Sequence, residues 1–388
     1  MVHRGKSMER VALAATLAAL CVSAAMLASA NRTAGALALV LTLALGTWVL
    51  LHKARRAHAE RVLVLGWGPH VARLLQAVAA RPELGWQVLR LPEAQSLATA
   101  SESDAEEAWA ARIREHHADR IIVSLHDPHG RLPLSAVLAE RARGVPVEDA
   151  AMVWERLTGK VDFSALDPHE LLFEPGLGSR RLDRAVARLL GVTAAVVGLV
   201  LLAPLFPLVA LAIRLDSVGP VFFRQARLGL HGKTFELVKF RTMHPAREPH
   251  SEWENDNRDR VTRVGRVLRK LHLDELPQLW NIVRGDMNLV GPRPHPVANA
   301  RLFRERIPFY ALRSLVRPGL TGWAQVHYRY ANGLAEETEK VRYDLYYLKH
   351  RSAWLDLGLV PATLLSMVRR RKAPGALPLT ELTARASR

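Results

Sequence analysis

Two adjacent carboxylates, Asp274 and Glu275, stand directly before an apolar helical pattern in the C-terminal half of the chain. The basic residues just upstream are Arg263, Arg266, Arg269, Lys270 and His272. A basic neighbourhood keeps carboxyl groups ionised, and it could also hold phosphate groups beside them. Helix capping is the simpler interpretation, because acidic residues and a proline are favoured in the first turn of a helix. The pair therefore indicates either an anion-handling site or an ordinary helix start.

Three further segments bring cations into the same half of the chain. Lys239 and Arg241 lie at the end of a strand-like run. Arg293 lies in a rigid Gly-Pro-Arg-Pro turn, and a fixed guanidinium is suited to forking a phosphate or a carboxylate. Arg317 precedes a turn-rich segment. Each segment could be scaffold alone, but together they surround one carboxylate pair with cations, which would be costly without an anionic ligand or a metal.

These segments, in this order, resemble the bacterial sugar transferase family, the monotopic polyprenyl-phosphate phosphoglycosyl transferases. The resemblance covers roughly residues 181–371. The matching pieces are an apolar stretch with a central Pro204, then 239–243, 261–285, 291–294, 317–326 and 343–347. Several motifs in the right order make the resemblance specific.

The resemblance implies an enzyme that transfers a sugar 1-phosphate from a UDP-sugar to a polyprenyl (undecaprenyl) phosphate, as the initiating step of exopolysaccharide or other glycoconjugate synthesis. Asp274 would attack the β-phosphate of the donor, giving a covalent phosphosugar-aspartate intermediate and releasing UMP. Splitting the reaction lets two poorly miscible substrates use the site in turn. Glu275 would hold Mg²⁺, which neutralises the diphosphate and aids the leaving group.

The resemblance also assigns the substrate phosphates and the nucleotide to basic residues. Arg269, Arg293 and Arg329 match family positions with that role. Lys239, Arg241 and Arg317 are the remaining substrate-binding residues that we predict. Arg329 departs from the family pattern, because a His-Tyr pair replaces the usual asparagine-glycine before it.

The elements that position these residues include membrane segments. Apolar runs at 11–30 and 33–51 are each about long enough to cross a bilayer core of roughly 30 Å. Basic residues flank the two runs, so we predict a transmembrane helical hairpin over 1–56 with both ends in the cytoplasm. A cleaved signal peptide ending at 28–30 is the alternative, although a second span follows at once. The expected location is the bacterial cytoplasmic (inner) membrane, with the catalytic domain on the cytoplasmic face.

The third apolar stretch, 189–213, has basic residues on both flanks and prolines inside. Pro204 removes a helix hydrogen bond and clashes with the preceding turn, so we expect a sharp bend at Ala203 and Pro204. A helix that enters, breaks and returns keeps both basic flanks on one face of the membrane, whereas a kinked transmembrane helix does not. The residues leave both forms open, and the family resemblance favours a re-entrant helix over about 186–214. Ala203 replaces a serine that is common in the family.

Residues 57–150 alternate strand and helix and predict a small Rossmann-like α/β domain. Gly66 and Gly68 resemble the first two glycines of a dinucleotide fingerprint, but Val71 occupies the third position. The glycines could bind a cofactor or simply close a tight turn. With the hairpin, this region resembles the N-terminal part of the larger family members that are linked to exopolysaccharide synthesis.

The predicted fold class is an α/β membrane protein, with a transmembrane hairpin, a Rossmann-like domain and a mainly α transferase domain that carries the re-entrant helix. The transferase domain is expected over 181–372. Residues 151–180 are predicted to form a linker, and 373–388 a flexible tail.

Composition narrows the function classes. The formal net charge of +17 suits anionic lipid, phosphorylated substrates or nucleic acid, but no nucleic-acid-binding motif is present, so no nucleic acid is expected as a partner. Cys21 is the single cysteine, which excludes a disulfide within the chain. A membrane-anchored nucleotide-sensing module without catalysis and a basic membrane-binding or nucleic-acid-binding protein remain as alternatives. The expected partners are a UDP-sugar, polyprenyl phosphate, membrane lipid and a second copy of the chain in a homodimer.

Overall fold

The computed structural model describes residues 60–66, 68–90, 102–124, 133–166, 181–244, 259–328 and 331–368, with only the backbone at 102–108 and 367–368. The predicted hairpin, the predicted tail and Arg329 lie outside the described residues. The chain divides into two compact units between Leu157 and Thr158. The first contains a parallel sheet with helices, so the predicted mixed α/β class is confirmed.

The first unit is built on a four-stranded parallel sheet. Its strands are β1 (Glu60–Leu65), β2 (Trp86–Arg90), β3 (Arg120–Val123) and β4 (Val147–Asp149), in the order β2-β1-β3-β4. The helices are α1 (Pro69–Ala79), α2 (Glu102–Glu115), α3 (Leu134–Ala142) and α4 (Ala150–Thr158). Apolar residues fill β1 from Val62 to Leu65 without alternation, and all four are buried. That pattern is typical of a parallel strand covered on both faces.

The glycine turn after β1 is explained by packing between two strands. Gly66 has a φ of 105°, and an added Cβ would stand 2.8 Å from the Cβ of Ser124, which follows β3. Only glycine fits such a backbone approach in this conformation. Val71, at the third position of the fingerprint, is a buried core residue of α1. These contacts support the tight-turn interpretation of the glycines.

The second unit includes two consecutive apolar helices, α5 (Arg181–Leu202) and α6 (Leu205–Asp216). Within the described part of the chain, α5 is the one helix long and apolar enough to cross a membrane, by length and composition. Large apolar side chains are exposed on both helices: Leu189, Val200, Leu201, Leu208, Leu211 and Leu215. Large exposed apolar patches mark contact with a membrane or with another protein.

The two helices separate at Ala203 and Pro204, where the sequence predicts a bend. The amide of Ala203 donates to the Val200 carbonyl over 3.3 Å, and the amide of Phe206 donates to the Ala203 carbonyl over 3.2 Å. These short-range bonds satisfy backbone groups locally at the break, as expected for a helix interruption in an apolar region.

Both flanks of the break are fixed to neighbouring parts of the second unit. On α5, the Arg188 guanidinium donates to the Met287 carbonyl over 3.0 Å. At the end of α6, the Asp216 carboxylate accepts from the amide of Val264 over 2.9 Å. Val264 lies in α7 (Arg263–Leu271), and Met287 follows α8 (Gln278–Arg284). A short turn joins α7 to α8, so consecutive helices of the second unit hold the two flanks of the break.

The remaining elements complete the second unit. Strands β5 (Phe222–Leu228) and β6 (Thr234–Phe240) pair antiparallel, and β7 (Asn288–Val290) pairs parallel with β8 (Gly319–Thr321). The other α-helices are α9 (Val297–Arg306), α10 (Trp323–His327), α11 (Leu334–His350) and α12 (Ala353–Val368). The largest core cluster includes Phe303 of α9, Tyr347 of α11 and Leu359 of α12.

A short segment that begins at the last residue of α4 also belongs to this core. Val161 is fully buried, and its amide and carbonyl both bond to Arg342 of α11. The Gly159 carbonyl accepts from the Trp323 indole over 2.6 Å. Part of the stretch predicted as a linker is therefore packed into the second unit; we call residues 158–166 the strap.

Candidate active site

A tight helix-turn-helix corner holds the carboxylate pair. The Thr262 hydroxyl accepts from the Gly265 amide over 2.9 Å and caps the start of α7. His272 ends α7 in the left-handed region, with a φ of 56°, and a single 3₁₀ turn over Leu273–Glu275 follows. The pair occupies this turn, and no side-chain hydrogen bond caps α8. The pair therefore makes no capping hydrogen bond to α8, although its charge lies directly before the first turn of that helix.

The two carboxylates differ in their surroundings. Asp274 is buried, with 7% of its surface exposed. Burial, followed by the charge of Glu275, raises the pKa of Asp274 above the ordinary aspartate value. Burial also opposes the charge of Glu275, but Arg293 outweighs it and lowers the pKa of Glu275. The basic surroundings expected from the sequence thus dominate at Glu275, while burial dominates at Asp274.

Arg293 reaches the pair from its Gly-Pro-Arg-Pro turn. Its Nη2 contacts Glu275 Oε1, and its Nη1 lies 3.3 Å from Glu275 Oε2, so the guanidinium forks the carboxylate. The same Nη1 donates to Gln325 Oε1 over 3.2 Å. An added Cβ at Gly291 would stand 2.5 Å from the Arg317 carbonyl oxygen, so the turn needs glycine there to lie against the next segment.

Lys239 approaches the pair from β6. Its ammonium lies 5.2 Å from the centroid of the Phe223 ring on β5. Burial and then the charge of Arg227 lower the pKa of Lys239 to about 8, while Asp274 and Glu275 act in the opposite direction. Lys239 is therefore a cation near the carboxylates whose charge titrates not far above neutral pH.

Arg269 is the third cation directed at the pair. It lies in the last turn of α7, and its Nε donates to the Thr242 hydroxyl over 3.1 Å. Its charge opposes the rise in the pKa of Asp274. The structure therefore brings Lys239, Arg269 and Arg293 together around the carboxylates.

Two predicted binding residues hold backbone instead. Arg241 is buried, and its Nη2 donates to the Ser217 carbonyl over 2.8 Å, just after α6. Arg317 donates from Nε to the Gly285 carbonyl over 3.1 Å at the end of α8. Arg329 lies outside the described residues.

Sequence reasoning misses two side chains beside Arg293. Gln325 accepts from its guanidinium, and Arg227 donates to the Pro294 carbonyl over 3.0 Å. Gln325 lies in the turn-rich segment that follows Arg317, so its polar type within that segment was an available signal. Arg227 lies in a strand beside other arginines, and nothing in the local sequence distinguishes it.

The two carboxylates could hold Mg²⁺ only if substrate phosphates supplied further oxygen ligands. Among the described residues, no group of three or more His, Cys, Asp and Glu side chains could hold a metal ion. Mg²⁺ beside phosphates needs only one or two carboxylates, because phosphate oxygens and water complete its octahedron. The Asp274–Glu275 pair supplies that donor set. Both oxygens of Glu275 contact Arg293, so an ion there would share this carboxylate with a cation.

Comparison with known proteins places these residues in a recognised family. The family described as bacterial sugar transferase matches residues 182–370. That range includes α5 apart from its first residue, all of α6 and every described residue of the candidate site. The match agrees with the resemblance drawn from the order of the motifs.

Individual relatives extend the similarity. A Caulobacter vibrioides protein named UDP-glucose:undecaprenyl-phosphate glucose-1-phosphate transferase is 49% identical over 187 residues, which cover 47% of this chain and 69% of that protein. The Aeromonas hydrophila UDP-N-acetylgalactosamine-undecaprenyl-phosphate N-acetylgalactosaminephosphotransferase is 40% identical over 221 residues, which cover 57% and 52%. The Komagataeibacter xylinus undecaprenyl-phosphate glucose phosphotransferase is 33% identical over 340 residues, which cover 84% and 63%. The chain thus spans about half the length of the Aeromonas relative and about two thirds of the other two.

Proposed function

Because the chain belongs to the bacterial sugar transferase family, we propose that it transfers a sugar 1-phosphate from a UDP-sugar to a polyprenyl phosphate and releases UMP. The observation that carries the proposal is the buried Asp274 beside three cations, Lys239, Arg269 and Arg293. A buried carboxylate among cations is suited to attacking a phosphorus whose charge those cations neutralise. The names of the relatives, which specify undecaprenyl phosphate as acceptor, support the substrate class.

In the first step, an Asp274 carboxylate oxygen attacks the β-phosphorus of the UDP-sugar. The bond from that phosphorus to the oxygen bridging the two phosphates breaks, and UMP leaves with the bridging oxygen and its electron pair. Asp274 then carries the sugar phosphate as an acyl phosphate. Lys239, Arg269 and Arg293 stabilise the negative charge that gathers on the phosphate oxygens.

In the second step, a phosphate oxygen of the polyprenyl phosphate attacks the phosphorus bound to Asp274. The phosphorus–carboxylate bond breaks, the product is a polyprenyl diphosphate sugar, and Asp274 returns as a free carboxylate. One site thereby serves a water-soluble donor and a lipid acceptor in turn.

Glu275, with Asp274 beside it, is the residue that would hold Mg²⁺ against the donor phosphates. The bound ion would neutralise diphosphate charge and make UMP a better leaving group. Arg293 keeps the pKa of Glu275 low, so this carboxylate is ionised and available as an oxygen donor.

The fold supports an active site at the membrane surface. We propose that α5 and α6 form a re-entrant element, because α5 bonds to the segment after α8, the end of α6 bonds to α7, and a short turn joins α7 to α8. A spanning helix would separate its ends by the bilayer thickness, roughly 30 Å. The corner between α7 and α8 that carries Asp274 would then lie at the cytoplasmic face of the inner membrane, where a polyprenyl phosphate headgroup is found.

The direct test is UMP release by detergent-solubilised protein supplied with Mg²⁺, undecaprenyl phosphate and a panel of UDP-sugars. We expect release with at least one donor, and a loss of more than about 10³-fold in Asp274→Asn, since a covalent nucleophile is removed. Glu305→Gln, an exposed carboxylate change on α9, is the control and should retain activity. Undiminished release by Asp274→Asn would reject Asp274 as nucleophile. Nucleotide binding without turnover by folded wild type would favour the nucleotide-sensing alternative.

A further inference from the structure

Arg313 is a buried arginine outside the site described above. It lies in a 3₁₀ segment, Tyr310–Leu315, and exposes only 7% of its surface. Its guanidinium donates in three directions: Nε to Asp344 Oδ2 over 2.7 Å, Nη1 to His295 Nδ1 over 2.9 Å, and Nη2 to the Arg293 carbonyl over 2.9 Å. The third bond ends on the backbone of the arginine that forks Glu275.

The partners of Arg313 belong to a buried polar cluster. An arginine can only donate, so His295 Nδ1 accepts and the ring hydrogen sits on Nε2, which lies 3.1 Å from Glu337 Oε1. Burial and then Arg313 lower the pKa of His295 to about 3, so the ring is neutral at physiological pH. Glu337 also lies 3.8 Å from Lys340. Two cations and two carboxylates therefore balance inside the core.

A balanced and buried cluster fixes the guanidinium plane of Arg313. Asp344 exposes 1% of its surface, and α11 holds Asp344, Lys340 and Glu337 on one rigid element. Breaking one partner of such a cluster leaves a buried charge without compensation, so the cluster resists rearrangement. The Arg313 bond to the Arg293 carbonyl links this guanidinium plane to the Gly-Pro-Arg-Pro turn.

We propose that Arg313 is a positioning residue for the transfer reaction, holding the Arg293 carbonyl so that the Arg293 guanidinium stays against Glu275 and faces the donor phosphates. This role rests on the proposed function. Lysine cannot replace it, because a single ammonium group does not supply three coplanar bonds. A misplacement of about 1 Å at a catalytic group can cost about 100-fold in rate. We therefore expect kcat of Arg313→Lys to fall by about 10- to 100-fold, with little change in KM for the UDP-sugar.

The test is a double-mutant cycle in the full-length protein. If Arg313 acts through Arg293, the effect of Arg313→Lys on kcat should largely vanish in an Arg293→Ala background. Asp344→Asn keeps Arg313 but weakens the bond that holds its guanidinium. Its effect on kcat should likewise largely vanish in the Arg293→Ala background, so this variant replaces Arg313→Lys if the latter folds poorly. Arg342→Lys is the matched control: Arg342 is a largely buried arginine of α11 bound to Val161 and Glu339, and its effect should be the same in both backgrounds. Equal effects of Arg313→Lys in both backgrounds would overturn the proposal.

A second measurement does not depend on turnover. Hydrogen–deuterium exchange of the peptide covering residues 288–296 should be faster in Arg313→Lys than in wild type and unchanged in Arg342→Lys. Unchanged exchange in Arg313→Lys would overturn the role in holding the turn. If the wild type shows no transfer, but exchange is still faster in Arg313→Lys than in wild type, the proposed reaction is overturned while the contact between Arg313 and the turn stands.

Discussion

Asp274 and Glu275 are adjacent in the chain, yet burial controls one and Arg293 controls the other. As pH falls, Asp274 takes up a proton at a higher pH than an ordinary aspartate, whereas Glu275 stays ionised to a lower pH than an ordinary glutamate. Groups whose surroundings separate their pKa values tend to take separate roles. This separation suits Asp274 to covalent chemistry and Glu275 to holding a cation.

Lys239 gives the site a testable upper pH limit. The pKa of Lys239 is lowered to about 8, so its charge is present below that pH and lost above it. Because the cation would bind donor phosphates, kcat/KM for the UDP-sugar should decline as pH rises through about 8. Arginine stays charged across this range, so Lys239→Arg should move the decline to higher pH. The measurement is the pH profile of kcat/KM for both proteins.

The control for this profile is Lys233→Arg, an exposed lysine just before β6. In Lys233→Arg, kcat/KM for the UDP-sugar should decline over the same alkaline pH range as in wild type. A decline near pH 8 that persists in Lys239→Arg would assign the limit to another group.

At the scale of elements, α7 is held against the segment after β6 by a glycine contact. An added Cβ at Gly265 would overlap the Thr242 carbonyl, and the Thr242 hydroxyl is also the partner of Arg269. Gly265→Ala should therefore lower the free energy of unfolding by about 1–3 kcal/mol and reduce transfer. The measurements are the unfolding midpoint in detergent and UMP release.

Gly358 provides the matched comparison. It lies in α12, and an added Cβ there meets nothing within 4 Å. Gly358→Ala should be neutral or stabilise the protein by up to about 1 kcal/mol, since alanine favours the helix. Equal midpoints for Gly265→Ala and wild type would contradict the packing described for α7.

The proposed re-entrant form of α5 and α6 predicts that both ends of the element are accessible from the cytoplasmic face. In a Cys21→Ser background, which removes the single natural cysteine, Arg184→Cys and Val218→Cys introduce exposed thiols before and after the break. A re-entrant element places both thiols on the cytoplasmic face, so an impermeant maleimide should label both in sealed inverted inner-membrane vesicles. Labelling of only one, with the other appearing after permeabilisation, would indicate a spanning helix.

At the scale of the whole molecule, local sequence patterns predict breaks and buried strands, but they do not predict contacts between residues far apart in the chain. Proline geometry predicts the interruption at Pro204, and the apolar run in β1 predicts a buried parallel strand. The direction of the pKa shift of Asp274 depends on burial by the folded chain, which no local pattern encodes. The contacts of Arg293 with Gln325 and with Arg313 join residues 32 and 20 positions apart, and only the tertiary fold brings them together.

The strap shows that local sequence also does not locate the start of the second unit. Its polar and glycine-bearing sequence resembles a linker, yet Val161 is fully buried and Trp323 bonds to Gly159. A fragment of residues 158–388 should therefore be more stable than one of residues 181–388. Burying one large apolar side chain contributes about 2 kcal/mol, so the difference in unfolding free energy should be at least that size. Equal unfolding midpoints for the two fragments would show that the strap does not stabilise the transferase unit.

The most direct test of the account is whether Asp274 itself carries the sugar phosphate. Wild-type protein and Asp274→Asn would be incubated with Mg²⁺ and a UDP-sugar labelled in the sugar, without acceptor, then quenched and analysed by peptide mass spectrometry. We predict label on the peptide containing Asp274 in wild type, its loss on addition of undecaprenyl phosphate, and no label in Asp274→Asn. Label in Asp274→Asn, or transfer by wild type with label on a different residue, would contradict the account.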